Sequence, residues 1–303
     1  MMVDKMALDL GLTRKFVANF SRGASHAYKF YTIPKRNGGE RPIHHPSKQL
    51  KSMQRWLLAY VIEPLPVHPA ATAYRKHRSI LDNARAHAAS KFLLRMDCEN
   101  FFPSITEDDV LLYIQQRPSL FPGWTAFDIE VFCKLICRNG RLTIGAPTSP
   151  GISNALCYEM DSALADLGLK RSVNYTRYAD DLFFSASKPD VLRPLQSDIE
   201  QLITDLELPG GLKINPAKTR HSSKRGRRRA TGIVLGSDGQ PHIGRALKRK
   251  VRSLIHGVDS LDPAARQSLA GLVSYAIGFD PDFMNSLVIK YGHAVMQKVR
   301  FPT

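Results

Sequence analysis

The sequence predicts an α+β fold in which a small antiparallel sheet packs against helices, and three observations carry that expectation. Two apolar runs of strand length, 173–178 and 182–185, are separated only by Ala179, Asp180 and Asp181, a gap that admits a hairpin and no crossover helix. A third run, 92–97, is long enough for a buried strand, too short for a helix, and ends on Asp97. Around these runs apolar residues recur at three- and four-residue steps, the helical period.

In chain order, the first ninety residues mix helical pattern with a basic stretch, 31–43, in which Asn37-Gly38-Gly39 is a hairpin-type turn between two extended arms bearing Lys35, Arg36 and Arg41. After the strand ending at Asp97, Thr106 and Asp109 form a capping-box signature. Val110, Leu111 and Ile114 give that helix its buried stripe, and Pro118 stops it. One helix is expected after Pro150, carrying Ile152, Leu156, Met160, Leu164 and Leu167 as far as Gly168. The hairpin 173–185 then places two carboxylates at its tip. Five basic residues among six at 224–229 precede a basic helix, 245–255, on which Leu247, Val251, Leu254 and Ile255 form an apolar stripe. A small helical domain is expected there.

Composition narrows the class. The chain has 303 residues, 43 Lys+Arg against 27 Asp+Glu, and a formal charge of +16, with 43% hydrophobic residues. That is a globular balance, and it excludes a wholly disordered or fibrous chain. A protein this basic repels itself unless an anionic partner compensates, and nucleic acid is the expected one. The longest apolar run, 56–62, is far short of the roughly 20 residues that cross a bilayer, and no secretory leader is evident. A cytoplasmic location and no membrane partner are expected. The four cysteines, Cys98, Cys133, Cys137 and Cys157, contain no C-x-x-C pair and read as buried thiols rather than a zinc site or disulfide framework.

Adjacent aspartates at a hairpin tip repel one another, so a fold that holds them there usually needs a cation beside them. The bland alternative is a solvated polar turn. Asp97 tips the balance, because its strand can lie beside the hairpin in one antiparallel sheet. Three converging carboxylates can hold two hard divalent ions, Mg2+ being the natural candidate, for phosphoryl or nucleotidyl transfer.

Four segments in order, Arg95-Met96-Asp97-Cys98-Glu99-Asn100-Phe101-Phe102, Gly145-Ala146-Pro147-Thr148-Ser149-Pro150, Tyr178-Ala179-Asp180-Asp181 and Gly211-Leu212-Lys213-Ile214-Asn215-Pro216-Ala217-Lys218-Thr219, resemble successive palm motifs of reverse transcriptases. The resemblance runs from about residue 25 to about residue 258 and includes the basic hairpin, which is similar to the fingers of these enzymes. Asn83-Ala84-Arg85-Ala86-His87 matches the N-A-x-x-H signature of bacterial retron reverse transcriptases, and Ala230-Thr231-Gly232 resembles their V-T-G element with Ala in place of Val. Ile144 stands where many reverse transcriptases carry a nucleotide-contacting Gln.

The resemblance implies a right-hand polymerase: fingers over 1–90, a palm over 91–235 with a fingers-associated insert at about 118–150, and a helical, RNA-binding thumb over 236–303. It implies that Asp97, Asp180 and Asp181 bind two Mg2+ ions, with Mn2+ able to substitute, and that Lys218 assists pyrophosphate departure. Lys35 and Arg41 would grip the triphosphate of a dNTP. Phe102 would pack under its sugar and exclude a 2′-hydroxyl, with Phe101 a core aromatic. Gly145 and Ala146 would allow close approach of backbone to nucleotide and template, and Tyr178 could support the primer end. For RNA binding the resemblance points to Asn83, His87, Arg227, Arg228, Thr231, Gly232, Arg245, Lys248, Arg249 and Arg252; Asn83 and His87 share one helical face and could equally brace the palm. The expected activity is copying part of a cognate non-coding RNA into multicopy single-stranded DNA (msDNA). Synthesis would start from the 2′-hydroxyl of an internal guanosine, in antiphage defence with an effector protein. No ribonuclease H motif is evident, so another enzyme would remove the template. The rivals are another bacterial reverse transcriptase class and a non-catalytic RNA-binding scaffold that neutralises a toxin.

Overall fold

A computed structural model describes residues 1–35 and 38–301. Helices α1 (Met2–Asp9) and α2 (Arg14–Arg22) lead into the hairpin β1 (Tyr28–Pro34) and β2 (Glu40–Pro46), antiparallel with Ile33 opposite Arg41 and exposed along most of its length. Gly38 and Gly39 take positive φ in its turn; Asn37, assigned to that turn, and Arg36, assigned to an arm, lie outside the described residues. Helix α3 (Lys48–Leu57) runs on into a π-turn at Leu58–Ile62, and α4 (Ile80–Ala88) follows, started by a Ser79/Asp82 capping box.

Next come β3 (Phe92–Asp97), α5 (Phe101–Ser104), α6 (Glu107–Gln116) and α7 (Ala126–Ile136). The Thr106/Asp109 capping box is present, with Val110 and Ile114 buried and Leu111 half-buried. The single helix expected after Pro150 is two, α8 (Ser149–Leu156) and α9 (Tyr158–Lys170). Cys157 breaks it with φ −82° and ψ 9°, because α8 packs on the π-turn, where a Cβ on Gly151 would come within 2.7 Å of Ile62, while α9 packs on β4. The periodicity ran through the break because both helices bury their stripe in one core.

The hairpin β4 (Asn174–Tyr178) and β5 (Asp181–Ala186), helix α10 (Leu192–Thr204) and strand β6 (Arg220–Ser223) complete a four-stranded sheet of order β4-β5-β3-β6. A second sheet, β7 (Arg228–Ala230), β8 (Ile233–Leu235) and β9 (Pro241–His242), precedes α11 (Arg245–His256), α12 (Pro263–Phe279) and α13 (Pro281–Arg300).

Among the described residues, one apolar core runs from Met2 through Met96 and Phe184 to Leu212. The proposed fingers and palm therefore share their interior, and no separate core marks residue 90. Helices α11 to α13 have a core of their own, with Val251, Leu269, Val273, Phe283 and Leu287 inside it. A small third cluster joins Ala84 and Ala88 of α4 to Leu93, Phe183, Ala230 and Ile233, so α4 is held between the two sheets. The four cysteines are buried and free, as expected; burial pushes the Cys133 and Cys157 thiols up to about 12. No described helix is long and apolar enough to cross a membrane.

The basic run 224–229 divides by strand alternation. Arg227 and Arg229 are exposed, whereas Arg228 is 1% exposed. Its guanidinium donates to the carbonyl of Ser90, to that of Ala88 at 3.3 Å and to that of Gly236 at 2.8 Å. The last carbonyls of a helix have no partners within it, and the five donors of an arginine suit such a group of acceptors. Arg228 is thus a clamp between α4 and the second sheet, not the RNA contact expected of it. Arg228→Ala should lower stability by about 2–3 kcal/mol in urea unfolding, through lost charged hydrogen bonds and carbonyls left buried. Arg227→Ala, on the exposed side, should change it by no more than about 0.5 kcal/mol.

Candidate active site

Register builds the site. Strands β3 and β5 pair antiparallel with Asp97 directly opposite Asp181, so the two side chains leave the same face of the sheet. Tyr178 opposite Asp181 closes the β4–β5 hairpin, leaving Ala179 and Asp180 as a two-residue turn with Ala179 at φ +57°. The amide of Cys98, next after β3, donates to the carbonyl of Asp180 at 2.8 Å and stitches the tip to the neighbouring strand. All three carboxylates are therefore gathered at one end of the sheet, as the sequence predicts.

Lys218 reaches the same place by a different route. The segment leading to it crosses beside β3, where the amide of Glu99 donates to the carbonyl of Lys213 and that of Asn215 to the carbonyl of Asp97, both at 2.8 Å. Gly211 allows this approach, since a Cβ there would lie 2.4 Å from the carbonyl oxygen of Ser104. Asn215 caps the short turn Pro216–Lys218, and the Lys218 ammonium donates to Asp97 at 2.8 Å.

These groups are electrostatically coupled. Burial, then the charge of Asp97, raises the Asp180 carboxyl above the ordinary carboxylate range. Burial pushes Asp181 up to about 6, although Arg95 pulls back, donating to it from Nε at 3.0 Å and from Nη2 at 2.8 Å. Arg95 was not singled out from the sequence. Period-two alternation would have found it, since residues 95 and 97 share one strand face.

Lys218 and Arg95 thus occupy oxygens of Asp97 and Asp181, and among the described residues no three acidic, His or Cys side chains form a ready-made metal cage. The strands bring the three aspartates together, but their side chains are not yet converged on a common point as expected. The donor set nevertheless fits a hard divalent cation: carboxylate oxygens alone, partly buried and mutually repelling.

The residues expected to bind nucleotide are placed by several different elements. Phe102, half-buried on α5, packs against Phe101 at 5.4 Å between ring centroids, and Phe101 is a core residue. Tyr74, which is 51% exposed and at φ +59°, has its ring centroid 6.3 Å from that of Phe102. Tyr74 lay in a loop without periodicity and carried no signal. Burial, then the charge of Asp180, raises its hydroxyl, and Arg41 acts in the opposite direction on both Tyr74 and Asp180. Arg41 thus belongs to the electrostatic neighbourhood of the carboxylates. Lys35 is exposed just beyond the end of β1, in the turn rather than on an arm.

Gly145, at φ +112°, has a close backbone neighbour within the chain. A Cβ there would lie 2.5 Å from the carbonyl oxygen of His44, whose own amide donates to the carbonyl of Ile144 at 2.9 Å. The close approach it permits is to the β1–β2 hairpin. Ala146 is buried beside it.

Asn83 and His87 are fully buried, which rules out the direct RNA contact assigned to their side chains. His87 hydrogen-bonds Thr176 at 2.7 Å and Ser185 at 2.8 Å, and the Asn83 amide oxygen accepts from Thr176 at 2.6 Å. Burial lowers His87 to about 3, so it is neutral. Both residues brace the sheet. Thr231 and Gly232, at φ +48° and +88°, form the β7–β8 turn, and the Thr231 hydroxyl donates to the carbonyl of Ile80 at 3.3 Å. Arg227, Arg229, Arg245, Lys248, Arg249 and Arg252 line a cavity of about 530 Å³ between β7 and α11. Within it Lys248 is paired with Asp280 at 2.6 Å.

A divalent ion taken up by these carboxylates competes with the proton that burial favours on Asp181. Its affinity should therefore rise between pH 5 and pH 7, most steeply near 6. Electron paramagnetic resonance titration with Mn2+ measures this directly; an affinity flat across that range would contradict it.

Comparison with known proteins agrees with this architecture. The family model described as "Reverse transcriptase (RNA-dependent DNA polymerase)" matches residues 33–235. The retron Ec83 reverse transcriptase of Escherichia coli is 32% identical over 92% of this chain and 91% of its own length. The retron Ec86 enzyme of the same organism is 30% identical over 91% of this chain and 86% of its own. The retron Mx162 enzyme of Myxococcus xanthus is 34% identical over 85% of this chain and 59% of its own. Among solved structures, apo telomerase from Candida tropicalis aligns with a TM-score of 0.51 at 12% identity, covering 92% of this chain and 63% of that one. With the fold shared that widely and the sequence shared over almost its whole length, the chain belongs to the retron reverse transcriptases, RNA-directed DNA polymerases.

Proposed function

We propose that the chain, working in the cytoplasm, copies part of its own structured non-coding RNA into msDNA. Synthesis starts from the 2′-hydroxyl of an internal guanosine, by two-metal nucleotidyl transfer, and the product serves antiphage defence together with an effector protein. The observation that carries the chemistry is the pairing of Asp97 with Asp181, with Asp180 stitched beside them through Cys98.

Asp97, Asp180 and Asp181 are the residues to hold two Mg2+ ions, which when bound lower the pKa of the attacking hydroxyl and neutralise the triphosphate. The chain's own residues do the rest. Arg41 can take phosphate oxygens with a two-pronged fork, and Lys35 extends the positive surface at the hairpin tip. Phe102, braced by Phe101 and Tyr74, supplies a rigid apolar wall for a deoxyribose. Lys218, 57% exposed and beside Asp97, can give a proton to the departing pyrophosphate. The basic cavity between β7 and α11 suits the phosphate backbone of a folded RNA.

Sequencing the nucleic acid that copurifies with the expressed chain and its adjacent non-coding RNA tests the reading. The expected species is a branched molecule joining RNA to DNA through a 2′-linkage, and it should be absent from an Asp180→Asn variant that folds normally. Unbranched DNA, or RNA alone with the wild-type chain, would contradict it.

A further inference from the structure

We infer that Arg177 is the positioning residue of the Ala179–Asp180 turn, acting through a buried network that also ties the turn to the segment carrying Tyr74. This rests on the proposed role of Asp180 and Asp181.

Arg177 lies in β4, two residues before Ala179, and its side chain is fully buried. Nε and Nη2 donate to the two carboxylate oxygens of Asp161 on α9 at 2.8 and 2.7 Å, and the Tyr175 hydroxyl donates to the same carboxylate at 2.8 Å. The remaining arm, Nη1, donates to the Asn154 side-chain oxygen on α8 at 3.0 Å and to the Ala179 carbonyl at 3.3 Å. Asn154 in turn donates from Nδ2 to the carbonyl of Ala73, the neighbour of Tyr74, at 2.9 Å. One planar fork therefore joins two helices, the hairpin turn and the loop that flanks Phe102.

A buried ion pair is weak evidence for stability, since apolar residues of similar volume often replace one without loss. What sets this one apart is where its third arm goes. Ala179 holds a backbone conformation that L residues rarely adopt, and such conformations persist only where the surroundings impose them. Both carbonyls of the turn are held, that of Ala179 by Arg177 and that of Asp180 by the Cys98 amide. Asp161 also cancels the charge of Arg177, so it grips the turn without competing for the aspartate carboxylates, as Arg95 and Lys218 do. A lysine would keep the charge but could not span carboxylate, amide and carbonyl together.

Two variants test this: Arg177→Met/Asp161→Leu, which removes both charges together, and Arg177→Lys. Each is compared with wild type by thermal unfolding, by Mn2+ binding in electron paramagnetic resonance, and by steady-state dNTP incorporation on a primed RNA template. The expected result is a folded double variant with Mn2+ affinity down at least about tenfold and kcat down about a hundredfold, the scale of a misplaced catalytic group. Its dNTP KM should stay within about twofold, excess Mn2+ should recover part of the rate, and Arg177→Lys should fall between the two. Wild-type Mn2+ affinity and kcat in a folded double variant would overturn the inference, and so would unfolding of both variants, which would make the network a folding element only. A wild-type chain that neither binds Mn2+ nor extends a primer would overturn the reading of the carboxylates, and this inference with it.

Discussion

The pairing register of β3 with β5 is the constraint on which the site depends. A slip of one residue would turn Asp97 to the opposite face and leave Asp181 facing a neighbour of the wrong kind. Several independent devices prevent it. Leu93, Leu94 and Met96 are buried, so a slip would disturb packing on both faces of the sheet. On one face α4 docks through Ala84 and Ala88, with Asn83 and His87 hydrogen-bonding into β4 and β5. At the tip, Cys98 fixes Asp180 directly. The acidic end of the sheet is costly to assemble, as the upward shifts of Asp180 and Asp181 register, and the apolar and hydrogen-bonded body behind it offsets that cost.

Two physical classes stand out among the arginines of this basic chain. Arg177 and Arg228 are almost wholly buried and spend their donors on carbonyls and one carboxylate, welding helices to sheets. Arg41, Arg227, Arg229, Arg245 and Arg249 are exposed and keep their charge available to an anionic ligand. Net charge alone does not separate these classes, but strand alternation does so at β7, where an inward arginine sits between two outward ones. A similar inward role falls to Asn83 and His87, which have no route to solvent and brace the sheet that carries the carboxylates.

Much of the architecture was legible in the sequence because it rests on local signals. The strand ending at Asp97, the hairpin that carries Asp180 and Asp181 and the Thr106/Asp109 cap follow from period, length and turn chemistry, although Asp181, expected in the connection, is the first residue of β5. What escaped was tertiary. The break at Cys157 leaves the apolar period intact, so no pattern announced it. Arg228 sits in a run that reads as RNA-binding throughout, and pairing with β8 turns it inward. Gly145 reads as a place of close approach to nucleotide and template, and its contact with the backbone of His44 joins residues about a hundred positions apart in the chain, which no local pattern announces. Tyr74, in a loop with unusual backbone geometry, had no periodic neighbours to betray it.

Whether one end of this sheet grips metal decides the role of its three aspartates. Anomalous diffraction from crystals of the chain with its RNA, Mn2+ and a non-hydrolysable dNTP measures that most directly. It should show manganese held by Asp97, Asp180 and Asp181, with Lys218 and Arg95 moved off the oxygens they hold without metal. Manganese bound elsewhere, or ordered nucleotide with those two ion pairs intact and no metal between the aspartates, would contradict it.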